Sequence, residues 1–130
     1  MKSARFVTGA LVLGSALGVL AARAPSTDVG EGRVLYTRYC ASCHGLDADG
    51  RGPVAPVLRR PPSDLRRLGS RYGMPLPADR IARYVDGRED VAAHGTREMP
   101  VWGERFRAPE QAVDPRIRTI VAYLDSIQAR

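Results

Sequence analysis

Cysteine, histidine, lysine and alternating apolar patterning are all scarce in this 130-residue chain. There are two cysteines and two histidines, and Lys2 is the one lysine among twenty cationic side chains. Two cysteines cannot form the dense disulfide framework of a small secreted scaffold. No stretch of any length alternates apolar with polar residues, which argues against a sheet. No Ser/His/Asp arrangement and no well-spaced carboxylate pair occurs, so hydrolytic chemistry has no visible carrier. No long basic run is interleaved with aromatics, and nucleic-acid binding is excluded on that ground.

The apolar fraction of 44% fits one globular domain and excludes disorder by composition. The formal charge is +6, with fourteen acids dispersed among the arginines. A net-positive surface suits redox protein partners that are acidic at the docking face, or an anionic membrane surface.

The first 22 residues read as an export segment. Lys2 and Arg5 precede an uncharged stretch from Phe6 to Ala22, and small residues follow. Candidate cuts lie before Ala22 and before Pro25, and residues 1–22 read as a signal peptide. The rival is an uncleaved membrane anchor, although Gly9, Gly14, Ser15 and Gly18 dilute its hydrophobicity. A lipoprotein is excluded because no cysteine sits near the cut. Residues 23–29 form a polar linker, and residues 30–130 form the folded domain. Either way that domain is expected outside the cytoplasm, in the periplasm of a bacterium or otherwise exported.

Both cysteines and one histidine fall in five consecutive residues, Cys40-Ala41-Ser42-Cys43-His44. Residues three and four apart share one face of a helix. Two thiols so placed can each add to a vinyl group of one porphyrin, and the adjacent imidazole can then point at the iron. The string is a haem-attachment signal. A Cys40–Cys43 disulfide or a thioredoxin-like redox pair would use the same thiols, but the latter wants a preceding strand. Here Gly32, Tyr36 and Cys40 recur every four residues, which predicts a helix over 30–40 with Val34 and Leu35 adding apolar surface. At the far end, Asp114-Pro115 is a helix start. Ile117, Ile120, Val121, Leu124 and Ile127 recur at helical spacing behind it, with Tyr123 beside that face.

Gly32, Tyr36, the Cys40–His44 string, a methionine in the latter half and Tyr123-Leu124 in a last helix resemble the class I cytochrome c family. The resemblance covers about residues 30–128. It implies an all-α cytochrome c fold of four to five helices around one covalently bound haem c, attached through Cys40 and Cys43, with crossing terminal helices. It also implies His/Met ligation and electron transfer. His44 is then the proximal ligand, and Met99 in Glu98-Met99-Pro100 occupies the place of the distal one. Met74, also followed by proline, precedes the expected helix over 78–86 and fits the family order less well. His94 competes with Met99, since imidazole binds iron well.

In the family a proline carbonyl supports the proximal histidine. Pro53 and Pro56 are both candidates, in a glycine-rich turn expected to fold back over the haem. Residues 64–68 read as a short helix. In the helix over 78–86, Ile81, Tyr84 and Val85 form the inner face and Gly87 the stop. Trp102 is expected near the haem, and Arg88 and Arg97 are candidates to pair with propionates. Closed on both faces, such an iron implies a single-electron carrier without enzyme activity. The alternatives are a cytochrome subunit of a dehydrogenase or oxidase complex and a haem-based sensor with an open distal site. A peroxidase is disfavoured, since one attachment motif serves one haem.

Overall fold

A computed structural model describes residues 29–88, 99–109 and 112–129. Among the described residues there is no strand, and the expected all-α class holds. Six α-helical segments occur: α1 (Val29–Tyr39), α2 (Ala41–His44), α3 (Leu68–Tyr72), α4 (Ala78–Asp86), α5 (Trp102–Arg105) and α6 (Pro115–Ser126). Short 3-10 turns lie at Ala55–Val57 and Leu65–Arg67. The excess over four to five helices comes from α2 and α5, which are four residues each and too short to show a period.

α1 and α6 cross, and the crossing is built from the two stripes visible in the sequence. On α1, Gly32 and Tyr36 are buried, while Val34 is 67% exposed and adds nothing to the interface. On α6, Ile117, Ile120, Val121, Tyr123 and Leu124 are buried. Full burial of each aliphatic side chain contributes about 1.5–3 kcal/mol. The start of α6 is fixed as expected, with the Asp114 carboxylate accepting from the Arg116 N–H at 2.9 Å and Pro115 in the first turn.

Close approach of the two helices depends on Gly32. A Cβ there would collide with the Thr119 carbonyl oxygen and lie 2.8 Å from Tyr123 Cβ. The gap left by the missing side chain lets the Tyr36 and Tyr123 rings meet, tilted by 46°, with centroids 5.3 Å apart. Tyr36 is fully buried, and its hydroxyl donates to the Gly45 carbonyl at 2.6 Å. Burial pushes its phenol pKa up, so the proton needed for that bond stays in place.

α4 packs on α6 through Ile81, Ala82 and Val85. Tyr84, expected on the inner face, is instead 47% exposed. It follows Ile81 by three residues but falls outside the Ile81–Ala82–Val85 stripe. Asp125 in the last turn of α6 and Gln128 just beyond it tie down the 65–76 stretch. Gln128 donates to the Leu65 carbonyl at 2.8 Å and accepts from the Gly69 N–H at 2.8 Å. The Asp125 carboxylate accepts from the Leu76 N–H at 2.9 Å. None of the described helices is long and apolar enough to cross a membrane, and residues 1–28 lie outside the described part.

The crossing yields a direct test. Gly32→Ala forces overpacking against backbone and is expected to cost about 1–3 kcal/mol of stability. Denaturant unfolding of the two proteins measures it; an alanine variant as stable as the parent would contradict the close approach.

Candidate functional site

α1 ends at Tyr39, and one further turn, α2, carries the Cys40–His44 string. The turn is held from behind by the chain that follows it. The Gly50, Gly52 and Val54 N–H groups donate to the carbonyls of His44, Cys43 and Ser42 at 2.8, 3.0 and 2.9 Å. These bonds satisfy carbonyls that a helix end leaves without partners. The glycine-rich turn, expected over the haem, therefore folds back instead against the backbone of the motif. Ala48 is buried in it, and its carbonyl accepts from the Leu65 N–H at 2.8 Å.

In front of α2 lies a cavity of about 470 Å³. Cys40, Cys43, His44 and Met99 all line it. Leu58, Leu65, Leu68, Ile81, Val85 and Leu124 supply apolar wall, and Tyr39 and Trp102, in ring contact with each other, also line it. Met74 does not line it and is 58% exposed. His94 and Arg97 lie outside the described residues.

The two thiols are not joined to each other. Burial, and after it the neighbouring Cys43, pushes the Cys40 thiol up to about 12. A thiol so protonated is a poor redox nucleophile, which argues against the thioredoxin-like alternative.

His44 Nδ1 lies 3.1 Å from the Ser63 carbonyl oxygen. A carbonyl can only accept, so Nδ1 carries the proton and Nε2 keeps its lone pair. Burial lowers the imidazole pKa, with the Ser63 bond opposing it, and this favours the neutral, metal-binding form. The expected supporters were Pro53 and Pro56, and both are exposed. Their loop turns toward the backbone of α2, and the chain returns to the imidazole only after Pro61-Pro62.

The Ser63 carbonyl is itself placed by a cap. Asp64 opens the 3-10 turn, accepting from the Arg66 N–H at 3.0 Å and from its guanidinium at 2.9 and 2.8 Å. Residues 64–68 were expected to form one short helix. They form this turn, which runs directly into α3.

Trp102 does reach the cavity, as part of a cluster with Tyr39 at 5.7 Å and Phe106 at 5.4 Å. Arg88 departs from expectation. Its guanidinium is engaged with Asp86 at 2.7 and 2.9 Å and with the carbonyls of Ala108, Pro109 and Ala112.

The donor set suits a haem: two unpaired thiols, an imidazole with Nε2 available and a thioether, around a pocket walled by aliphatic side chains. Helical walls, crossed terminal helices and a C-x-x-C-H turn on such a cavity define a c-type cytochrome. A family model described as cytochrome c oxidase, cbb3-type, subunit III matches residues 27–124, and the chain belongs to that family. No significant match was found among curated proteins or among solved structures. Domains of the family bind haem c covalently through cysteine, and Cys40 and Cys43 are the two cysteines that this chain has.

The Asp64 cap generates a pH prediction. The Arg66 side chain hydrogen bond holds the Asp64 carboxyl at about 2, against an ordinary 3.8. The folded value is the lower one, so the stabilisation is full above the ordinary value. It is lost as pH falls from there toward the folded value. The stability difference between the parent and Asp64→Asn is expected to be larger at pH ~6 than at pH ~3. Denaturant midpoints at both pH values measure it, and an equal difference at the two would contradict it.

Proposed function

We propose that the chain is an exported single-electron carrier whose haem iron is held between the His44 imidazole and the Met99 thioether. The observation that carries this reading is the meeting of both side chains with both cysteines on one apolar cavity. When bound, the haem supplies reversible one-electron chemistry at its iron.

The rest is done by the chain. Cys40 and Cys43 would fasten the porphyrin through thioethers to α2 and the residue that caps it. The Ser63 carbonyl orients His44 and raises its basicity. Met99 is a soft ligand that favours the reduced state and so raises the potential. The aliphatic walls exclude water, which lowers the local dielectric and tunes the potential further. With protein side chains on both faces of the metal there is no vacant position for a substrate.

The family description favours a second reading, a cytochrome subunit fixed in an oxidase complex. The electron step is the same and only the permanence of the partner differs. In both readings residues 1–22 direct export or anchor the chain, residues 23–29 link, and residues 30–130 carry the haem. The net charge of +6 suits an acidic docking face on the partner.

Met99→Ala is expected to abolish the ferric methionine–iron absorption band, lower the reduction potential and let the ferrous protein take up carbon monoxide. A band that survives the substitution would overturn the ligand assignment. Replacing both Cys40 and Cys43 with alanine is expected to leave no haem that resists acid–acetone extraction. Resistant haem in that double variant would overturn the attachment.

A further inference from the structure

We propose that Arg88 is a positioning residue for Met99: through one guanidinium it clamps the end of α4 to the segment that begins with Met99 and runs into α6. The inference rests on Met99 being the axial ligand.

Three observations support the clamp. First, the Arg88 guanidinium serves both sides at once. Nε and Nη2 donate to the two oxygens of Asp86, at 2.7 and 2.9 Å. Nη1 and Nη2 also donate to the carbonyls of Ala108, Pro109 and Ala112, at 3.1, 2.8 and 2.8 Å. Those three carbonyls belong to irregular backbone between α5 and α6, where no helix supplies a donor. The planar five-donor fork of arginine can meet this pattern, whereas the compact ammonium of lysine cannot.

Second, the ion pair is also the floor on which α5 rests. Asp86 is buried, and Arg88 is shielded, with its side chain 19% exposed. A Cβ at Gly103 would collide with Arg88 Nε and lie 2.6 Å from both Asp86 oxygens. Gly103 therefore brings the backbone of α5 directly onto the Asp86–Arg88 pair.

Third, the other side of α5 is held by rings. Trp102 and Phe106 pack on Tyr39, the residue before Cys40, at 5.7 and 5.0 Å. Met99 is three residues ahead of Trp102 and packs, half-buried, against the core. Its position on the cavity wall is thus set by a short tether whose anchor has two parts, one aromatic and one ionic. Neither Asp86 nor Arg88 lines the cavity. The ionic part acts on the iron only by limiting how far the Met99 tether can swing away.

The test uses the full chain matured with haem, and compares wild type, Arg88→Gln and Gly32→Ala. Two signals are followed through one denaturant titration: the ferric methionine–iron band and far-ultraviolet circular dichroism. Gly32→Ala weakens the fold at the distant α1–α6 crossing and should move both midpoints together. Arg88→Gln is expected to lose the band at lower denaturant than the helices, with a wider gap between midpoints than in wild type. Its ferrous form is expected to take up carbon monoxide in native buffer, where wild type does not. A gap and a carbon monoxide response unchanged from wild type would overturn the clamp. Should Arg88→Gln not accumulate, Arg88→Lys, which keeps the charge without the fork, is judged by the same two criteria. A wild-type protein with no methionine band would remove the ligand assignment and this inference with it. A normal wild-type band, with the gap and the carbon monoxide response both unaltered in the variant, would remove this inference alone.

Discussion

The missing side chain at Gly32 governs how near α6 can come to α1, and the rest of the molecule is arranged around that approach. With Thr119 and Tyr123 against the bare glycine, Tyr36 lies fully buried one turn further along α1. Its ring meets Tyr123 and its hydroxyl reaches the Gly45 carbonyl, just past the histidine of the motif. The same tyrosine thus touches the helix crossing and the far end of the haem-binding turn. A slip of one residue on α1 would turn Cys40 away from the cavity, because side chains advance about 100° per residue on a helix.

From this fixed corner the site is assembled by backbone more than by side chains. Three N–H groups of the 50–54 stretch hold the carbonyls of α2, and the Ser63 carbonyl holds the imidazole. Gln128 and Asp125, near the end of α6, hold the 65–76 stretch that forms another wall. The terminal helix therefore contributes twice, through its apolar face to the core and through its polar end to the loop. This division suits a redox site. Rigid walls limit rearrangement when the charge on the iron changes, and polar bonds are kept to its supports.

Much of this was legible in the residues. The Cys40–His44 string, the four-residue spacing back to Gly32 and the capped start of α6 are local patterns, and each appears where the sequence places it. So is the extent of α4, although Tyr84 turned out half-exposed at the cavity rim. The supports of the site were less legible. Which carbonyl faces His44 depends on the path of an irregular chain over nineteen residues, and neither Pro53 nor Pro56 is the one. The Arg88 bonds to Ala108, Pro109 and Ala112 join residues twenty or more apart without any periodic signal. Single-turn α5 left no pattern at all. A short helix from residue 64 was legible, but the Asp64 cap and its consequence for the neighbouring Ser63 carbonyl were not.

The account stands most directly on the visible spectrum of the purified full-length protein, ferric and ferrous, with and without carbon monoxide. A thioether-linked haem with both faces closed predicts a low-spin spectrum, a methionine–iron band in the ferric form and no response of the ferrous form to carbon monoxide. Colourless protein from a host with working cytochrome maturation would contradict the cofactor. A high-spin ferrous form that takes up the gas at once would contradict the closed iron.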